Sequence, residues 1–159
     1  MYPSTPSYTL EEAQRKLELY CAYQDRCHKE VEEKLRNMRM IPEAIDHIMG
    51  HLIQENYLNE ERFARSFARG KFKVKSWGKS RIVRELKQRN ISKTIVQLAL
   101  TEIDDEDYVR VFQDLVLKRL RQLKTEKDKY KKRKKLADYL AYRGWPGDWI
   151  YEAAKTHIP

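Results

Sequence analysis

One apolar register recurs three times along this chain, and few architectures can host it. Val31, Leu35, Ile41 and Ile45 are followed, fifty or fifty-one residues later, by Ile82, Leu86, Ile91 and Ile95. Another fifty-four residues on stand Leu136, Leu140, Trp145 and Trp149. The residue after the third position is Pro42, Ser92 and Pro146 in turn, each a good helix starter. The residue before it is Met40, Asn90 and Gly144. Asn and Gly accept the left-handed conformation that ends many helices, whereas Met40 does not. The first copy also carries one extra residue at this joint. Four apolar matches plus a matching joint mark a threefold repeat.

The spacing inside each copy is helical. Thr9-Leu-Glu-Glu12 is a capping box, and a helix over 9–23 follows, with Ala13, Leu17 and Tyr20 on one face. A second helix is expected over 28–39, through Val31 and Leu35. A third starts at Pro42 and presents Ile45, Ile48, Met49, Leu52 and Ile53. Asn59 caps a fourth, which bears Phe63, Phe67 and Phe72. Each unit therefore reads as helix, helix, short turn, helix, the last two resembling a helix-turn-helix. A unit of about 50 residues has little core of its own, so neighbours should pack together. The expectation is an all-α fold: three tandem three-helix repeats in an elongated, curved array. The divisions are a loose extension over 1–8 and repeats over 9–58, 59–103 and 104–159.

Composition agrees. Only 5 Gly and 5 Pro are present, too few for a chain of hairpins, while 10 Tyr and 3 Trp argue for a packed core. No stretch approaches the roughly 18 apolar residues of a membrane span. Cys21 and Cys27 make no disulfide framework, which points to the reducing cytoplasm. The glycines stand isolated at 50, 70, 78, 144 and 147, so no phosphate-binding loop can be written. His47 and His51 share a helix face, yet Ile-Met-Gly between them lacks the Glu of a metalloprotease. No catalytic residue, metal site or cofactor is expected, and the chain does not read as an enzyme.

Charge carries the functional signal. The formal net charge is +9, divided as −3 over 1–58, +8 over 59–103 and +4 over 104–159. In the middle third, Arg62, Arg65 and Arg69 lie on one helical stripe, followed by Lys71, Lys73 and Lys75. Lys79, Arg81 and Arg84 open the next helix, and Lys87 and Arg89 close it. Such a field can neutralise phosphates or steer an acidic protein surface. A second run supplies Lys127, Lys129, Lys131, Lys132, Arg133, Lys134 and Lys135. Its continuity with Leu136 and Leu140 places it at a helix N-terminus, where positive charge opposes the dipole unless an anionic partner compensates. Trp77, beside Gly78, can plug a joint between helices or stack on a base, and plugging is the simpler reading.

The string Tyr57-Leu-Asn-Glu-Glu-Arg-Phe-Ala-Arg-Ser-Phe67, then Trp77-Gly78, Arg81-Ile82, Glu85-Leu86 and Ile91, resembles the signature of the RecX family of bacterial recombination regulators. Ala137-Asp-Tyr-Leu-Ala-Tyr-Arg-Gly-Trp145, followed by Ile150, is similar to that family's last repeat. Asn90 stands where the family usually has Gly. The resemblance implies three tandem three-helix repeats and a role in DNA repair, recombination and the SOS response. It further implies binding to the RecA recombinase and its filament on single-stranded DNA, with restraint of RecA ATPase, strand-exchange and coprotease activities. Binding to bare DNA would be weak and indifferent to sequence, and a monomer is the simplest state. The alternative is a tandem helix-turn-helix DNA-binding protein or transcription regulator. That reading wants base-reading side chains on the third helices, where segment 92–103 offers only Lys93 and Gln97.

Overall fold

A computed structural model describes residues 7–159, so most of the expected 1–8 extension, residues 1–6, lies outside the described residues. Among the described residues there are nine α-helices and no strands. They are α1 (Leu10–Tyr23), α2 (His28–Asn37), α3 (Pro42–Gln54), α4 (Glu60–Lys75), α5 (Lys79–Gln88), α6 (Lys93–Leu100), α7 (Asp105–Gln122), α8 (Lys129–Tyr142) and α9 (Gly147–His157). Side-chain caps start five of them, three at the expected Thr9, Asn59 and Ser92 and two more at Asp104 and Asp128. Each accepts from first-turn backbone N–H groups, satisfying donors the helix itself leaves open.

The repeat is real, and its register is tighter than the sequence alone suggests. The turn after each second helix has one geometry. Met40, Ile91 and Trp145 donate their N–H groups to the carbonyls of Leu35, Leu86 and Leu140, at 3.1, 3.2 and 3.3 Å. Arg39, Asn90 and Gly144 hold the left-handed residue just before, with φ of 61°, 60° and 87°. This is a Schellman ending, whose hydrophobic contact joins the residue after the left-handed position to the last core leucine. Met40, not Ile41, therefore occupies the third apolar position. Ile41 is the N-cap residue of α3, 63% exposed, equivalent to Ser92 and Pro146. The extra residue in the first copy disappears. The fourth position moves as well, to Ile45, Val96 and Ile150, all buried. The corrected offsets are a constant 51 and then 54 residues. Two adjacent apolar residues, Met40 and Ile41, hid the frame, and the turn's hydrogen bond resolves it. Ile53, expected on the buried face of α3, is 47% exposed.

Packing differs among the triplets. In the first two, the third helix is the hub: α3 packs on α1 and α2, and α6 packs on α4 and α5. Ala64 and Ala68 on α4 and Ala99 on α6 are fully buried, and these small side chains let the two helices approach closely. In the last triplet α8 is the hub, with α7 and α9 both against it. The first triplet buries its own cluster, including Leu17, Val31, Leu35, Ile48 and Leu52. The second and third triplets share a single cluster, which also takes in Cys27 from the first.

Candidate partner-binding surface

The basic residues singled out by the sequence divide into two populations, those with a partner within the fold and those without one. Arg62 belongs to the first. Its Nε lies 2.7 Å from Asp25 Oδ1, and its Nη2 donates to the carbonyls of Asn56 and Tyr57 at 3.2 and 3.1 Å. It clamps the start of α4 to the α1–α2 joint through Asp25 and to the α3–α4 joint through Asn56 and Tyr57. Arg65 and Arg69 both reach Glu102 Oε1 at 3.1 Å, tying α4 to the turn after α6. Hydrogen bonds from Arg65 and then Arg69 hold the Glu102 carboxyl below the usual carboxylate range. The arginine stripe expected on α4 is thus engaged with carboxylates of the fold, with Arg69 still 44% exposed.

Arg81 and Arg89 are also internal. The Arg81 guanidinium lies between Trp77 and Tyr142, 4.1 and 4.5 Å from the ring centroids, and donates to the Tyr142 carbonyl at 3.1 Å. Arg89 covers Phe67 and donates to the Glu85 carboxylate at 3.1 Å. Lys79 lies over Tyr108 and 3.8 Å from Asp105. Lys71 sits half-buried over Phe67 and Trp77. Trp77 itself packs on Phe67 and the second core, filling the joint.

Four residues of the expected field remain exposed and without an ion pair: Lys73 and Lys75 at the end of α4, and Arg84 and Lys87 on α5. Beside Lys71 and Lys75 runs a groove of about 600 Å³, lined by Phe63, Phe67, Gly70 and Val74 on one side. Asp25 and Glu30 border it from the first triplet. Val74 is 78% exposed between the two lysines, so the end of α4 offers apolar surface flanked by positive charge.

The second run behaves similarly. Asp128 caps α8 by accepting from Tyr130 and Lys131 N–H, so one carboxylate offsets part of the unfavourable charge. Arg133 donates to the Ile158 carbonyl at 2.7 Å, pinning the end of α9. Lys134 pairs with Asp138 and Lys135 with Glu126. Lys127, Lys129, Lys131 and Lys132 form no ion pair, and Tyr130 among them is 79% exposed.

The remaining candidates resolve into packing. His51 approaches Glu18 at 3.3 Å and stacks against Tyr57, while His47 is exposed. No group of three His, Cys, Asp or Glu among the described residues is arranged to hold a metal ion. Both cysteines are free and buried, and burial pushes each thiol up to about 11. No helix among the described residues is long and apolar enough to cross a membrane.

What sequence reading missed is how the triplets join. The N-cap residue of α2, Cys27, packs into the next triplet's core, and Lys29 donates to the Gln88 carbonyl at 2.9 Å. The N-cap residue of α5, Gly78, donates to the Arg143 carbonyl at 2.7 Å, and Arg81 reaches the Tyr142 carbonyl. Gln88 and Tyr142 are equivalent in the repeat, as are Cys27 and Gly78. One joint is therefore used twice, head to tail. Gly78 and Gly144 meet there so closely that a Cβ on Gly78 would lie 2.3 Å from the Gly144 oxygen. The signal was present as Cys27 and Gly78 at the repeat spacing, but their different side chains concealed it.

Comparison with known proteins gives the arrangement a family. Residues 59–100 match the family model for the second three-helix domain of RecX, and residues 105–154 match that for the third, together more than half of the chain. A regulatory protein RecX of Lactobacillus gasseri is 38% identical over 57% of this chain and 33% of its own length. Another from Clostridium botulinum is 30% identical over 82% and 61%, and one from Serratia proteamaculans 33% identical over 65% and 60%. The chain thus spans a third to about three fifths of the length of these relatives. A crystal structure of a regulatory protein RecX superposes with a TM-score of 0.81 at 22% identity, covering 93% of this chain and 73% of that one. RecX from Lactobacillus salivarius superposes at 0.75 with 24% identity, covering 92% and 95%. Tandem three-helix units, both matched domains and these superpositions agree: the chain belongs to the RecX family of regulatory proteins.

Proposed function

We propose that this chain binds the RecA recombinase, chiefly as its filament on single-stranded DNA, and restrains RecA activities. The observation that carries the reading is the set of cations the fold does not use. Lys73, Lys75, Arg84 and Lys87 are exposed and form no ion pair, whereas Arg62, Arg65, Arg69, Arg81 and Arg89 each hold a partner within the fold. They lie on the first two helices of the middle triplet, where they suit phosphate or acidic protein contacts rather than base reading. The exposed positions of α6 offer only Lys93, Thr94 and Gln97, which favours a filament over a specific duplex sequence. Tandem units also distribute many modest contacts along a repetitive partner. Lys127 just before α8 and Lys129, Lys131 and Lys132 within it add a second set of cations without ion pairs. The expected setting is the cytoplasm, with no cofactor, and with each triplet a structural unit over 9–58, 59–103 and 104–159.

The test compares fluorescence anisotropy on labelled single strands, bare and RecA-coated. The coated strand should bind more tightly, while bare-strand affinity falls steeply with added salt. Reversing Lys73, Lys75 and Lys87 to Glu should weaken filament binding by at least about tenfold, roughly 1.4 kcal/mol, with the helical content unchanged. Arg65 and Arg69 are unsuitable for reversal, since each would place a second carboxylate beside Glu102. Unchanged filament binding by the folded triple variant contradicts this assignment of the contact surface.

A further inference from the structure

The three triplets treat the seam between their first and third helices differently. In the first, Glu18 on α1 meets His51 on α3 at 3.3 Å. In the second, Arg65 and Arg69 on α4 hold Glu102, just past the end of α6, at 3.1 Å each. In the third, no ion pair among the described residues joins α7 to α9. Each of these helices packs on α8, and a groove of about 870 Å³ runs between them.

The groove is built from apolar side chains. Phe112, Val116, Trp149 and Ala153 line it from within, and the core continues beneath them. Val109 and Leu117 on α7, 41% and 46% exposed, and Tyr151 on α9, 67% exposed, stand beside it. Val109, Phe112, Val116 and Leu117 are spaced as one helical stripe, so α7 presents apolar surface to the groove along two turns. Continuous exposed apolar surface of this kind marks an interaction site more often than isolated side chains do. The first two seams are closed by polar contacts, whereas in the third Tyr108 and Phe112 of α7 meet Trp149 of α9 with ring centroids 5.3 Å apart and the groove opens beside them.

Charge at the border specifies the occupant. Asp148 and Glu152 line the groove one helical turn apart on α9, both exposed and neither in an ion pair. In a chain of net charge +9 they form a local reversal of sign. We infer that the α7–α9 groove binds an amphipathic helix that carries apolar side chains at helical spacing and Lys or Arg beside them. A groove between two helices, with an apolar floor, takes a helix by inserting side chains from positions i, i+3 or i+4, and i+7. The two carboxylates favour basic flanks and oppose acidic ones. A second copy of the chain is disfavoured as occupant, because it would bring its whole +9 charge against this one.

The test uses the full chain and three dye-labelled peptides of about 15 residues: a Leu–Lys amphipathic helix, the same pattern with Glu for Lys, and a shuffled Leu–Lys sequence. Fluorescence anisotropy should show the amphipathic Leu–Lys helix binding at least about tenfold more tightly than either control. The double variant Asp148→Lys/Glu152→Lys should lose that preference, and Leu117→Lys should weaken binding by a similar factor. Circular dichroism establishes that both variants stay helical. Equal binding of the acidic peptide, or binding untouched by the variants, overturns the inference. So does a concentration-dependent dimer, seen by sedimentation, that the double variant abolishes, because the occupant is then a second copy.

Discussion

The joint between the first and second triplets and the joint between the second and third use the same geometry with different materials. At the first, the contacts are mostly polar: Arg62 to Asp25, Lys29 to the Gln88 carbonyl, and one small buried side chain, Cys27. At the second, two glycines bring backbone against backbone, and Trp145 donates to the Ser76 carbonyl at 3.0 Å. Around it lies an aromatic stack, with Tyr108 4.5 Å and Phe112 5.2 Å from the Trp145 ring centroid. The first joint leaves two hydrophobic clusters nearly separate, and the second fuses two triplets into one. Burial of shared apolar surface couples stability, whereas exposed polar contacts contribute little. The second and third triplets should therefore unfold together, and the first should open by itself at lower cost.

Breaking the second joint should have the largest effect. Gly144 adopts φ +87°, and a Cβ there would lie 2.4 Å from the Arg81 backbone nitrogen. Gly144→Ala should cost about 3 kcal/mol or more, combining left-handed strain with a clash against main chain that cannot step aside. Urea unfolding followed by fluorescence measures it, since Trp77, Trp145 and Trp149 all report on the fused core.

A cut at the first joint should act locally. Arg62→Ala removes one ion pair and several hydrogen bonds from a partly exposed side chain, so about 1–2 kcal/mol is expected. Hydrogen exchange should accelerate in α1–α3 and hardly change in α4–α9. Cys27 provides a second readout, because its thiol is buried and remains protonated at pH 8. Alkylation by iodoacetamide should be slow in the parent chain and several-fold faster in Arg62→Ala. Equal acceleration of exchange in all three triplets would mean that the two joints are equally coupled.

The smallest effect sharpens the comparison from the other side. Gly70 lies inside α4, and a Cβ there would meet no atom within 4 Å. Gly70→Ala should stabilise the fold by about 0.5–1 kcal/mol through helix propensity alone. A loss of stability, measured by the same unfolding titration, would show the α4 surface to be more crowded than this account holds.

The helices, their caps and the threefold period were legible because each rests on local chemistry: Thr9, Asn59 and Ser92 announce helix starts, and apolar spacing announces faces. The exact register was not legible, since Met40 and Ile41 are both apolar and only the turn's hydrogen bond chooses between them. The basic field was legible as charge but not as surface. Arg62 finds Asp25 and Arg69 finds Glu102 across 37 and 33 positions of sequence, and no periodicity reports such partners. The α7–α9 groove was hidden for a related reason. Val109 and Leu117 look like core residues, but α9 meets α7 chiefly through Trp149 on Tyr108 and Phe112, which leaves those two side chains 41% and 46% exposed.

The central functional claim is that this chain acts on RecA, and a RecA ATPase assay on single-stranded DNA tests it most directly. Adding the chain at concentrations well below that of RecA should slow ATP hydrolysis, with the Lys73→Glu/Lys75→Glu/Lys87→Glu variant at least about tenfold less potent. An unchanged hydrolysis rate at chain concentrations equal to RecA would contradict the account.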